Sequence, residues 1–159
     1  MIDPALRVAA ARVLALLAAR GETVATAESC TGGLVAAALT AVPGSSAVVE
    51  RGFVTYSNTA KSEMLGVPPE LIAAHGAVSA EVARAMAEGA LRHAPVDRAV
   101  AITGIAGPTA DGSAKPVGLV HFALARRDRA TQDSVARFDG DRDAVRLQAA
   151  LTALDLLGG

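Results

Sequence analysis

Cysteine occurs once in this chain, at Cys30, tryptophan not at all, and aromatic residues amount to 3% of the sequence. A single thiol excludes an intramolecular disulfide and any zinc centre built on several cysteines. So few rings leave almost no stacking platforms of the kind that hold single-stranded nucleic acid or sugars. An excess of one charge is also missing: 15 Lys and Arg face 16 Asp and Glu, for a formal net charge of -1. No global field draws the chain to nucleic acid or to an acidic membrane, so any anion must be held locally. No stretch is long and charge-free enough to span a bilayer, and Met1 to Arg7 lacks the basic start and apolar run of an export signal. The expectation is a soluble, cytoplasmic protein with neither a nucleic-acid nor a membrane partner.

What is present is aliphatic. With 159 residues, 52% of them hydrophobic, the chain fits one domain over residues 1–159. Such a domain buries roughly 70% of the surface its unfolded form exposes. Pro4 to Arg20 predicts a first helix, with Leu6, Val13, Leu14 and Leu17 at helical spacing and Gly21 as the stop. Thr23 to Ala27 predicts a short strand, and Gly32 to about Ala41 a small-residue helix ended by Pro43-Gly44. Ala47 to Tyr56 predicts a second strand with a bulge at Gly52. Short helices around Ala60 to Leu65 and from Pro68-Pro69 to His75 precede a stronger one, capped by Ser79 and running to about His93. Asp97 to Thr103 has the apolar character of a buried strand. After a loop from Gly104 to Pro116, strands over Gly118 to Ala125 and Gln132 to Phe138 flank the polar turn Arg126-Arg127-Asp128-Arg129. A last helix starts at Gly140-Asp141.

Helices alternating with strands, then a hairpin, specify an α/β fold: a single-domain three-layer α/β/α sandwich around a mixed, mostly parallel sheet. Loops leaving the carboxyl ends of the strands gather in one crevice in such folds. That brings together Glu28 to Gly33, Tyr56 to Lys61, and Thr103 to Pro116.

Within the first of these loops, Thr26-Ala27-Glu28-Ser29-Cys30-Thr31-Gly32-Gly33 ends an apolar run in a small polar turn and opens a helical pattern. A strand-to-helix turn aims N–H groups and a hydroxyl at one point, which suits an anion or a carbonyl under attack. On residue type alone, Ser29 and Thr31 read first as helix caps. As a nucleophile Ser29 needs a base. His93 suits a helix end, His121 the interior of a strand and His75 a turn. Lys61 stands out, because Lys61 and Lys115 are the only lysines among 15 basic residues. Desolvation can strip a lysine of its proton, which arginine retains; a solvated lysine on a short helix is the plainer alternative. Tyr56 passes a proton, orients the amine or simply packs. Cys30 is a second candidate nucleophile, or else a small buried hydrophobe. The segment from Thr103 to Pro108 lacks the G-x-G-x-x-G spacing of a dinucleotide fold, and no P-loop is present. Its glycines let backbone approach a ligand closely.

TAESCTGG (Thr26 to Gly33), ERGFVTYSN-x-AK (Glu50 to Lys61), HGAVS (His75 to Ser79), ITGIAGP (Ile102 to Pro108), KPVG (Lys115 to Gly118) and GDRDAVR (Gly140 to Arg146) together resemble the CinA C-terminal domain family. The likeness runs from the first helix to the last. It implies hydrolysis of the carboxamide of nicotinamide mononucleotide to nicotinic acid mononucleotide and ammonia, a step in pyridine nucleotide recycling. No metal or organic cofactor is implied, and self-association into a homo-oligomer is. By motif, Ser29 matches the nucleophile, and Lys61 and Tyr56 match the base and its neighbour. Cys30, Thr31, Gly32 and Gly33 are expected at the substrate, with N–H groups near Thr31 to Gly33 facing the oxyanion. Thr103 and Gly104 are expected beside the nicotinamide ring or ribose, and Arg142 or Arg146 at the phosphate. One departure follows Gly107-Pro108, where relatives often carry a run of glycines and Thr109 to Ala114 keeps one. Two other readings stand beside this one: an amidase using Cys30, and a nucleotide-binding module without catalysis.

Overall fold

Asp3 opens the first helix, α1 (Pro4–Arg20), by accepting the Ala5 N–H at 2.8 Å, and Gly21 closes it with a left-handed cap at φ 66°. The computed structural model describes residues 1–159, and the elements follow in the order that the periodicity predicts. Strand β1 (Val24–Glu28) leads into helix α2 (Leu34–Thr40), and β2 (Val49–Val54) into three helices: α3 (Asn58–Leu65), α4 (Pro69–His75) and α5 (Ala80–His93). The strands β3 (Arg98–Gly104), β4 (Leu119–Arg126) and β5 (Arg129–Arg137) complete the sheet, and α6 (Arg142–Gly158) ends the chain. Ser57, Ser79 and Asp141 cap α3, α5 and α6 by accepting the N–H three residues on.

The five strands lie in the order β2-β1-β3-β4-β5, with β1 parallel to β2 and β3, and β4 antiparallel to both its neighbours. Four strands therefore run one way, and the sheet is mixed and mostly parallel as expected. Its two faces are packed differently. Val24, Val100, Ile102, Val120, Phe122 and Leu124 face α1, α2 and α6 in one core. Ala25, Ala27, Ala99, Ala101, Ala123 and Ala125 face the other core, against α5 and the ends of α3 and α4. An alanine floor lets these helices approach the sheet closely, and Gly89 of α5 carries the economy further. A Cβ at Gly89 would stand 2.0 Å from the Leu65 carbonyl oxygen, so α3 is seated directly on α5.

One expectation fails locally. The irregularity in β2 falls between Val49 and Arg51, which pair with Val24 and Ala25 and leave Glu50 as the extra residue. Gly52 is regularly paired with Thr26. Its lack of a side chain has a packing reason, since a Cβ there would stand 2.7 Å from Thr26 Oγ1 and 3.3 Å from Ala36 Cβ. The strand is also shorter than Ala47 to Tyr56, because Ser45–Ala47 form a 3-10 turn and Thr55 and Tyr56 leave the ladder toward α3. Strand order reverses between β1, whose connection leads to β2, and β3, whose connection leads to β4. A crevice opens at the carboxyl ends of strands around such a switch point.

Candidate active site

Ser29 extends the alternation of Ala25 and Ala27 past the end of β1, and its N–H still bonds the Ile102 carbonyl of β3 at 2.9 Å. Its side chain is thereby turned toward the face that α3 covers, and it is 8% exposed. Lys61 comes from the first turn and a half of α3, behind the Ser57 cap, and is 1% exposed, the largest fully buried side chain of the chain. Its Nζ lies 3.0 Å from Ser29 Oγ, 2.9 Å from the Thr55 carbonyl and 3.4 Å from the Tyr56 carbonyl. No carboxylate pairs with it. Burial accordingly pulls its pKa down from the ordinary 10.5. A neutral amine has two N–H groups and one lone pair. With its two N–H groups on the two carbonyl oxygens, such an amine would keep its lone pair for the serine hydroxyl.

Glu28, fully buried, accepts the N–H groups of Val35 at 2.9 Å and Ala36 at 3.0 Å. The positive end of α2 is therefore occupied by the chain's own carboxylate, and the turn is not an open anion cradle. Gly32 and Gly33 adopt positive φ, 61° and 99°, to fold the chain from β1 into α2. The Gly32 N–H is already bonded to the Ser29 carbonyl at 3.0 Å. Thr31, Gly32 and Gly33, expected at the substrate, are not among the residues that line the cleft. Of the turn's N–H groups that have no backbone acceptor, that of Cys30 belongs to a residue that does line it.

The cleft has a volume of about 560 Å³, a size that suits a mononucleotide. Ser29, Cys30, Tyr56, Lys61, Thr103, Gly104 and Arg142 all line it, so seven of the ten expected site residues meet at one place. The three predicted loops converge there. Tyr56 meets the amine through its carbonyl alone; its phenol, on a side chain left 61% exposed with the rest of the residue, accepts from Arg142 at 2.9 Å. Arg142 also donates to the Gly107 carbonyl at 2.7 Å and so spans the mouth of the cleft. Arg146 is neither a solvated residue nor a ligand of the cleft: it donates to the carbonyls of Cys30 at 3.2 Å and Thr31 at 3.1 Å, pinning the serine turn to α6. Burial pushes the Cys30 thiol up to about 11, which leaves almost no thiolate near neutrality.

A fourth wall was not foreseen. Gly76, Ala77 and Val78 line the cleft, with Thr103 Oγ1 donating to the Ala77 carbonyl at 2.8 Å. Lys115 Nζ donates to the carbonyls of His75 at 2.7 Å and Val78 at 2.5 Å, and so fastens this segment to the loop after β3. The words HGAVS and KPVG carried this signal, because both sit in loops beside the crevice. No His, Cys, Asp or Glu cluster is arranged to hold a metal ion.

A family model described as the CinA C-terminal domain matches residues 7–159. The chain belongs to that family. The CinA-like protein of Anaeromyxobacter sp. (strain K) is 60% identical over 146 residues, 91% of this chain and 35% of that protein. The chain thus spans about a third of the length of several CinA-like relatives that it matches. The nicotinamide-nucleotide amidohydrolase PncC of Escherichia coli (strain K12) is 53% identical over 160 residues, covering 99% of this chain and 95% of that one. Among solved structures, the competence/damage inducible protein CihA of Agrobacterium tumefaciens superposes with a TM-score of 0.94 at 47% identity, covering 99% of this chain and 96% of that one. Within the CinA fold, the Ser29 turn, Lys61 and Arg142 all stand at the β1/β3 switch point.

Proposed function

We propose that this CinA-family chain hydrolyses the carboxamide of nicotinamide mononucleotide to nicotinic acid mononucleotide and ammonia. The observation that carries the reading is the buried Lys61 amine, unpaired with any acid and 3.0 Å from Ser29 Oγ. It is supported by the likeness to a full-length relative named for nicotinamide-nucleotide amidohydrolysis.

In this mechanism neutral Lys61 takes the Ser29 proton as Oγ forms a bond to the amide carbon, and the carbonyl electrons move onto oxygen. The Cys30 N–H, which has no backbone acceptor and belongs to a residue lining the cleft, is the donor we assign to that oxyanion. The C–N bond then breaks, Lys61 returns its proton to the leaving nitrogen, and ammonia departs. Water, deprotonated by the same amine, cleaves the ester and restores Ser29. Thr103 and Gly104 border the ring or ribose, and Arg142 with the Tyr56 phenol meets the phosphate end. A cytoplasmic location, and a homo-oligomer built from one domain per chain, are part of the same proposal. The mechanism itself uses no cofactor.

Acid-quenched turnover mixtures analysed by peptide mass spectrometry test the covalent step. A pyridine mononucleotide ester on Ser29 is expected; the same adduct on Cys30 would replace the serine mechanism with a thiol one.

A further inference from the structure

The hairpin turn Arg126-Arg127-Asp128-Arg129 lies at the end of the sheet opposite the cleft and has no part in the chemistry above. In the sheet register Arg98 of β3 stands opposite Arg126 of β4, and Arg126 opposite Arg129 of β5. Directly opposed residues share a face with Cβ atoms about 5 Å apart, and like charges so placed repel. Three guanidinium groups therefore stand abreast. Glu22, which also lines the recess, offsets part of the repulsion on Arg126, and Arg20 at the end of α1 adds to it. In a chain whose net charge is -1, this is a strong local concentration of positive charge.

The row borders a recess of about 350 Å³ with no hydrophobic residue in its lining. Its other members are already committed. Arg98, 4% exposed, is ion-paired with Glu22 and donates to the carbonyls of Leu157 at 2.8 Å and Gly159 at 3.0 Å. Asp97 accepts the Thr23 N–H at 2.8 Å and the Thr23 hydroxyl at 3.0 Å. Arg127 turns away to the carbonyls of Leu91, Ala94 and Val96 at the end of α5. Arg126 and Arg129 have no ion pair, and the Nε groups of Arg126 and Arg98 are buried with no acceptor. Asp128, at the tip of the turn, is exposed and bonded to neither.

We propose that this recess binds a phosphate-type oxyanion between Arg126 and Arg129, with Arg98 lining its inner side. A doubly charged tetrahedral oxyanion offsets two unpaired cations, and its oxygen edges match the fork of N–H groups on each guanidinium. A carboxylate would offset one. Both inorganic phosphate and the phosphate of a small ester have this chemistry.

Backbone-amide NMR titration at constant ionic strength, with chloride as control, tests the site. Its two arms use inorganic phosphate and ribose 5-phosphate. Saturable shifts are expected at residues 98–99 and 125–130, and Arg126→Gln weakens them at least tenfold while leaving ammonia release from nicotinamide mononucleotide unchanged. Tighter binding of ribose 5-phosphate assigns the site to an ester, and equal or weaker binding assigns it to the free ion. In phosphate-free buffer, Arg126→Gln is expected to raise Tm by relieving the repulsion. Amides that move no more than with chloride, or that titrate unchanged in the variant, would overturn the proposal. A lower Tm for Arg126→Gln would do the same, since it would assign the row to the carbonyl ends of α1 and α6.

Discussion

Lys61 Nζ faces Ser29 Oγ at 3.0 Å across a buried gap that no carboxylate enters. A general base must be unprotonated, so turnover depends on how far burial has lowered the Lys61 pKa from 10.5. kcat/KM should rise with pH and level off above the lowered pKa. The same shift makes the folded chain bind fewer protons than the unfolded one between the folded pKa and 10.5. The buried amine's penalty is thus full below the folded pKa and relieved as pH climbs from there to 10.5. A pH–rate profile that falls through this interval would contradict the assignment.

Cys30 is adjacent to the proposed nucleophile yet chemically quiet, its thiol held at about 11 by burial. Cys30→Ala should retain turnover within a few-fold, and iodoacetamide should label the wild-type thiol far more slowly at pH 8 than a free cysteine. Rapid labelling that tracks loss of activity would reverse the ranking of Ser29 and Cys30.

Glu28 joins β1 to α2 by accepting the Val35 and Ala36 N–H groups. Its replacement by Ala leaves buried donors without partners and should cost about 2–4 kcal/mol in urea unfolding. Glu28→Gln, which keeps one acceptor oxygen, should cost less. Equal losses for the two variants would show that the carboxylate's hydrogen bonds are not what holds the turn.

Gly89 couples stability to the site, because a Cβ there would drive against the Leu65 carbonyl and displace α3, which carries Lys61. Gly89→Ala should lose about 1–3 kcal/mol of stability and lower kcat as well. Loss of stability with unaltered kcat would show that Lys61 is held independently of that contact.

Tyr56 supplies a carbonyl to Lys61 and a phenol to Arg142. Tyr56→Phe deletes the second contact and keeps the first. Steady-state kinetics should show KM raised several-fold and kcat changed less. The reverse pattern would make the phenol a participant in proton transfer.

The element order was legible because each helix carries its own start and stop, such as Asp3 and Gly21 for α1 and Ser79 for α5. The switch-point crevice follows from alternation of strands and helices, and the chemistry of a serine in a strand-to-helix turn and of a rare lysine marks Ser29 and Lys61 as candidates without knowledge of their contact. What escaped was set by tertiary packing. The spacing of β2 gives no sign that Thr26 and α2 press on Gly52. Nothing local shows that Glu28 reaches forward to take the N–H groups of α2, or that Arg146 reaches 116 residues back to the Cys30 carbonyl. Both contacts close off donors and cations that the sequence alone offers to a ligand.

Ammonia release from nicotinamide mononucleotide, measured in parallel for wild type, Ser29→Ala and Lys61→Ala, tests the central claim most directly. The account predicts turnover by the wild type and a loss of roughly 10³-fold or more in each variant, with both still folded by circular dichroism. Full turnover by Ser29→Ala, or binding of the mononucleotide by the wild type with no ammonia released, would contradict it.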